Sequence, residues 1–351
     1  MAPPKTLPTA QLGKSGPKIP RLGFGLMGLS VGYGSVGPDE ERLKVLDRAW
    51  ELGETFWDTA YAYGDSEELA GKWFKLHPER RSDIFLATKF ALEFTVSPET
   101  GPVITINSTP ENAIDSCNRS LKRLGVDSID LFYCHRFDET TPVEKTVEAM
   151  VQLKKEGKIK HIGLSECTSA TLRRAHAIHP ITAVQIEYSP WTLDIESEQG
   201  TNLLAAAREL GVAVVAYSPL GRGFLTGRYQ SPDDFEPTDY RRIVPRYSAE
   251  NFPKNLDLVR RFEAFAARKG HTPSQLVLAW ILAQGDDFFP IPGTKSARYL
   301  EENLGGLAVE LSDEENRQIR DLIGNLQVAG GRNTQMGSVP ASQLQDTPPL
   351  A

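Results

Sequence analysis

Thr55-Phe56-Trp57-Asp58-Thr59-Ala60-Tyr61-Ala62-Tyr63-Gly64 reads as a short buried strand that ends in an acid and runs straight into a loop carrying a tyrosine over the same rim. Two later segments repeat the pattern. Ile84-Phe85-Leu86-Ala87-Thr88 delivers Lys89, and Ile129-Asp130-Leu131-Phe132-Tyr133-Cys134 delivers His135. In a parallel α/β barrel the C-terminal ends of the strands share one face, and that face is where chemistry collects. Asp58, Tyr63, Lys89 and His135 would then meet, which makes an enzyme the leading reading.

Outward from this stretch the chain alternates strand and helix patterns. Candidate strands are 21–26, 55–58, 84–89, 129–134, 159–164, 183–187, 213–217 and 288–291. Helical periodicity falls at 39–52, 66–76, 109–124, 142–156, 169–177, 202–210, 255–283 and 296–304. The strands are short, apolar and rich in β-branched residues, as in Val212-Ala213-Val214-Val215-Ala216, which suits a parallel sheet covered by helices. Eight such units predict an α/β fold, a (β/α)8 TIM barrel forming a single domain over residues 1–325 after a hairpin around Gln11 to Ile19. Extended loops follow the third strand (90–108) and the seventh (220–254). From about Ile323 the composition turns to Gly, Ser, Gln and Pro, so 326–351 reads as a C-terminal tail, mobile or ordered by docking near the active site.

Composition narrows the function. With 351 residues, 40% of them hydrophobic, the chain can bury a large core. A net charge of −7 argues against nucleic-acid or anionic-membrane surfaces and favours small-molecule partners. Cys117, Cys134 and Cys167 show no CxxC or metal-ligand spacing, and the histidines other than His135 sit in surface contexts or away from the active rim; no metal is expected. Without an apolar signal core or a run of about 20 apolar residues, the reading is a cytoplasmic protein. Oligomeric state is not encoded legibly.

Gly23-Phe24-Gly25-Leu26-Met27-Gly28 matches the GxGxxG fingerprint of a dinucleotide site, but its context fails. That fingerprint needs a helix opening on the third glycine, with an acid about 20 residues beyond. Here further glycines intervene, Pro38 begins the helix, and the next strand-end acid is Asp58. The segment reads instead as a Gly-rich barrel loop where backbone and ligand approach closely.

The chain resembles the aldo-keto reductases. The resemblance rests on Asp58 to Gly64, Lys89 after Ala-Thr, His135 in YCHRFD, Gly163-Leu164-Ser165, Gln185 in VQIEYS, AYSPLGRGFLTG at 216–227 and PIPGTKSARYLEEN at 290–303. It covers roughly residues 10–325, in family order on the expected rims. The fungal-type branch, resembling pyridoxal and aryl-aldehyde reductases, is the nearest in pattern.

Residue chemistry points the same way. A carbonyl that accepts hydride needs a proton on its oxygen, and a free tyrosine, with a pKa of about 10, is a poor donor unless tuned. A lysine beside it favours the phenolate, and an acid beside the lysine holds the ammonium in place. The resemblance assigns these roles to Tyr63, Lys89 and Asp58, with His135 orienting the carbonyl. For the cofactor, the helix after Pro292-Gly293-Thr294-Lys295-Ser296 can receive a phosphate at its N-terminus. The resemblance makes that cofactor NADPH: Lys295, Ser296 and Arg298 at the 2′-phosphate, Glu302 and Asn303 at the adenine, and Gly293 and Thr294 among the other cofactor-binding residues. It further places Ser165 and Gln185 at the carboxamide and Tyr217 against the nicotinamide. Ser218, Leu220 and Arg222 would line the pyrophosphate, with Gly25 and Met27 beside the nicotinamide ribose; Asp58 is also counted among the cofactor-binding residues.

Two positions depart from the family pattern: Glu166 stands where Asn often follows the serine, and Ser296 stands where close relatives carry Arg. The implied substrate is an aldehyde or ketone, aromatic or aliphatic, with Trp57, Phe90, Trp191 and the tail as apolar walls. Two other classes fit parts of the pattern. One is a phosphosugar-type barrel enzyme, which leaves Tyr63 beside Lys89 unexplained; the other is an NADPH-binding regulatory subunit with slow turnover, like the potassium-channel β subunits.

Overall fold

The computed structural model describes residues 2–97, 101–324, 327–332, 344 and 346–350. Twelve strands appear among them: β1 (Thr9–Gln11), β2 (Lys18–Pro20), β3 (Phe24–Gly25), β4 (Phe56–Asp58), β5 (Phe85–Phe90), β6 (Leu92–Ser97), β7 (Gly101–Ile106), β8 (Ile129–Cys134), β9 (Ile159–Ser165), β10 (Ala183–Glu187), β11 (Ala213–Tyr217) and β12 (Phe288–Pro290). Strands β3, β4, β5, β8, β9, β10, β11 and β12 form one parallel sheet in chain order. The sheet curls until its ends meet, where the Gly23 amide donates to the Pro290 carbonyl at 3.0 Å and the Gly25 amide to Pro292 at 3.2 Å. A Cβ on Gly25 would stand 2.8 Å from the Ile291 carbonyl oxygen, so only glycine permits this seam.

Eleven helices cover the sheet and its ends: α1 (Met27–Ser30), α2 (Asp39–Glu51), α3 (Ser66–Leu76), α4 (Pro110–Leu124), α5 (Val143–Lys155), α6 (Ser169–Ile178), α7 (Leu203–Leu210), α8 (Phe252–Lys269), α9 (Pro273–Leu282), α10 (Ala297–Gly305) and α11 (Asp313–Gly324). The single helix expected over 255–283 is two. Gly270 ends α8 in a left-handed conformation, and Thr272 opens α9 with a capping box ahead of Pro273. The expected loop 90–108 contains the β6–β7 hairpin.

Period-2 alternation divides the core. Phe56, Ala87, Leu131, Tyr133, Ala183, Ala213, Val215 and Phe289 face a small inner cluster, sealed below by Leu12 and Ile19 of the N-terminal hairpin. Their neighbours Trp57, Leu86, Phe132, Val184, Val214 and Phe288 pack in the larger layer shared with the helices. The barrel is therefore solid below the rim. Tyr133 fills its centre so fully that a Cβ on Gly163 would lie 2.4 Å from the tyrosine ring. Continuing the alternation upward, Asp58, Lys89, Gln185 and Tyr217 are the next inward positions.

Glu54, at the foot of β4, is 1% exposed, and its Oε2 has no hydrogen-bond partner among the described residues. Burial raises its carboxyl pKa well above the ordinary value. A group raised in the fold stabilises it below the unfolded pKa and loses that contribution as pH rises through the folded one. Glu54→Gln is therefore expected to unfold at a higher temperature than wild type at pH 8, by roughly 1–3 kcal/mol of stability, with the gap closing towards pH 4. Thermal melts of both proteins across that pH range check this.

Candidate active site

At the C-terminal rim the Lys89 ammonium donates to Asp58 Oδ1 at 2.5 Å and to the Thr59 carbonyl at 2.7 Å. Asp58 Oδ2 accepts from the Gln185 amide at 2.7 Å. Lys89 is fully buried, and so is the acid it pairs with. Burial raises the Asp58 carboxyl pKa, against the opposing pull of Lys89 and Gln185. An isolated ammonium could not persist in this layer; paired and bonded to a carbonyl, it does.

The half-buried Tyr63 ring stands above this pair, with Lys89 Nζ 4.9 Å from its centroid. His135 meets Tyr63 edge to face at 5.7 Å, its position fixed by its backbone amide on the Phe90 carbonyl. Its Nδ1 is buried without a partner among the described residues. Burial, followed by the cations Arg136 and Lys89, holds the imidazole well below its ordinary pKa, so it stays neutral. Thus all four residues named from the strand ends come together, in a buried ion pair overlain by two rings.

The cofactor candidates occupy the same rim. Gly25 lies on the β3 seam and Met27 opens α1. Ser165 ends β9, where its hydroxyl accepts from Arg136 at 3.3 Å. Tyr217 ends β11 and donates to Glu166 Oε1 at 2.7 Å. Ser218 and Arg222 both adopt positive φ (48° and 55°), so the chain turns sharply as it leaves the barrel, with Leu220 buried between them. Arg222 Nη1 is buried and has no hydrogen-bond partner among the described residues. Gly293 faces the Gly25 carbonyl, and Thr294 Oγ1 accepts from the Ser296 amide ahead of α10. Lys295 caps the carbonyls of Tyr33 and Ser35 at 2.5 and 2.7 Å. Arg298 and Glu302 lie on α10, and Asn303 is 5% exposed on the same helix.

Gln185, expected at the carboxamide, donates one amide N–H to Asp58 Oδ2. Two expected pocket walls are corrected. Trp57 and Phe90 are not pocket walls: Trp57 packs edge-on to Trp73 of α3 at 4.7 Å, and Phe90 stacks on Phe132 at 5.0 Å, both facing the helices. Trp191 lies against Phe224 and Tyr247 beside the rim, with its indole N–H unpartnered among the described residues.

Sequence reading missed a second charged layer. Glu187, the inward position after Gln185, faces Arg222 and Arg246 at 3.6 Å each and Arg332 at 3.4 Å. Alternation along β10 could have found Glu187. Nothing periodic marks Arg332.

Comparison with known proteins agrees with this geometry. The profile of the Aldo/keto reductase family matches residues 21–323. The chain is 52% identical to aldo-keto reductase str7 of Strobilurus tenacellus over 98% of its own length and 99% of that protein. It is 48% identical to the Schizosaccharomyces pombe protein named aldo-keto reductase yakc, NADP(+), with the same coverages. Among solved structures it resembles glycerol dehydrogenase AKR11B4 of Gluconobacter oxydans, with a TM-score of 0.79, 25% identity and coverage of 94% and 99%. It also resembles the thermostable aldo-keto reductase Tm1743 solved with epalrestat, with a TM-score of 0.70, 29% identity and coverage of 90% and 100%. The fold and the family match define a barrel oxidoreductase. The chain belongs to the aldo/keto reductase family.

Proposed function

We propose that the protein reduces an aldehyde or ketone to the alcohol at the expense of NADPH, with Tyr63 as the proton donor. The observation that carries this reading is the Tyr63 ring 4.9 Å from an ammonium that is itself locked in a buried ion pair. No barrel chemistry built on a phosphosugar alone asks for that arrangement.

The donor set fits the cofactor. Lys295, Thr294 and Ser296 precede α10, a helix of nine residues whose N-terminal amides and positive dipole favour a phosphate. The orphaned Arg222 Nη1 suits a second anionic group, such as a pyrophosphate. The relative named for NADP(+) supports the phosphorylated form.

When bound, NADPH supplies hydride to the carbonyl carbon, and one proton from the protein completes the alcohol. Tyr63 Oη gives that proton to the carbonyl oxygen. Lys89 favours the resulting phenolate by its charge, and Asp58 keeps the ammonium aimed. Neutral His135 can donate a ring N–H to the same oxygen, which orients the carbonyl and steadies charge as it develops. The buried layer beneath excludes water from the proton donor's partners, so their electrostatic effect is larger than in solvent. Trp191, packed on Phe224 beside the rim, offers an apolar wall, which favours an apolar aldehyde.

Lys295→Met should weaken NADPH binding about 10- to 100-fold, the worth of one charged hydrogen bond, while leaving NADH affinity nearly unchanged. Fluorescence titration of both nucleotides tests the phosphate assignment. Equal losses for the two would remove it. NADPH bound tightly but never oxidised, across a panel of aldehydes, would mark a sensor subunit.

A further inference from the structure

Glu166 is held in a left-handed backbone conformation, φ 51°, which a side chain of its kind adopts only against strain. Its carboxylate is buried and receives four donors from three residues: the Tyr217 hydroxyl at 2.7 Å, the Glu187 amide at 3.3 Å, and both terminal nitrogens of Arg332 at 3.2 and 3.3 Å. Arg332 comes from far along the chain. It also reaches Glu187 at 3.4 Å and Asp194 at 3.9 Å. The flanking chain is fastened on both sides of the rim. The Ala329 amide and carbonyl bond the Asn255 side chain of α8, while Arg174 of α6 donates to the Thr347 and Pro348 carbonyls.

We propose that Arg332 is a positioning residue of the reductase site: it clamps Glu166, and through that carboxylate fixes Tyr217 at the end of β11, so that the nicotinamide face is complete only with the C-terminal segment docked. This rests on the NADPH-dependent reading above. Two carboxylates, Glu166 and Glu187, share this corner, and a fork-shaped guanidinium can hold both in a way a lysine cannot. Burial alone would push the Glu166 carboxyl up; Arg332, Arg136 and the Tyr217 hydroxyl outweigh it and keep the group ionised. The Tyr217 phenol, raised by burial and by Glu166, keeps its proton and remains a donor.

The test compares Arg332→Met, Arg332→Lys and the double variant Arg332→Met with Glu166→Asn, all in the full chain. The double variant removes the stranded carboxylate and puts a residue at 166 that tolerates positive φ. Arg332→Met should weaken NADPH binding and lower kcat about tenfold each, with the aldehyde KM moved less. Arg332→Lys should recover part of the loss. The double variant should recover the melting temperature but not the NADPH affinity. Unchanged affinity and kcat in Arg332→Met, or full recovery of both in the double variant, would overturn the proposal and leave a clamp for stability alone. Should the wild type bind no NADPH, the reductase reading fails by itself. Hydrogen exchange of the cofactor-free protein then judges the clamp: faster exchange at 213–217 in Arg332→Met supports it, and identical exchange removes it.

Discussion

Tyr63→Phe is expected to lower kcat for aldehyde reduction by about 10²- to 10⁴-fold, the range associated with loss of a positioned general acid. NADPH affinity should stay within about twofold. The Tyr63 ring lies 4.9 Å from Lys89 Nζ and the residue is half-buried, so trimming its hydroxyl should leave the melting temperature close to wild type. Steady-state kinetics with NADPH titration separates the two effects. A variant that keeps full turnover would move the proton donor elsewhere on the rim, with His135 the nearest alternative at 5.7 Å.

Lys89→Met should be worse in a different way. It removes the ammonium that meets Asp58 at 2.5 Å and leaves a carboxylate that is 2% exposed without its counter-charge. Breaking a buried pair from one side costs roughly 3–5 kcal/mol, so both turnover and stability should collapse. Adding Asp58→Asn to the same protein removes the stranded charge. That double variant is expected to regain most of the stability and none of the activity, because the phenol still lacks its tuning cation. Chemical denaturation and turnover of the two variants check the separation. If activity returned along with stability, Lys89 would be a structural residue only.

Much of this was legible in the sequence for one reason. A strand that ends in a polar residue after an apolar run announces a rim position, and Asp58, Lys89 and His135 all do so. The identity of the inner and outer faces was harder to read, because strands buried on both sides look uniformly apolar. Trp57 and Phe90 were accordingly placed at the pocket, although alternation from Phe56 and Lys89 turns them towards the helices. Gln185 was read by resemblance alone, and its bond to Asp58 depends on two strands that are distant in the chain. The break between α8 and α9 was visible in Gly270 and Pro273 but hidden by continuous apolar periodicity. Arg332 had no such trace: it lies in a Gly-rich stretch, and its role depends on which carboxylates the rim presents to it.

The most direct test of the central claim follows the hydride itself. Wild-type protein would be given 4-nitrobenzaldehyde and NADPH with both nicotinamide C4 hydrogens replaced by deuterium, and the product alcohol analysed by mass spectrometry. One deuterium on the former carbonyl carbon, formed in step with NADPH oxidation and lost in Tyr63→Phe, is the predicted result. NADPH oxidation without label in the alcohol, or no binding of NADPH at all, would contradict it.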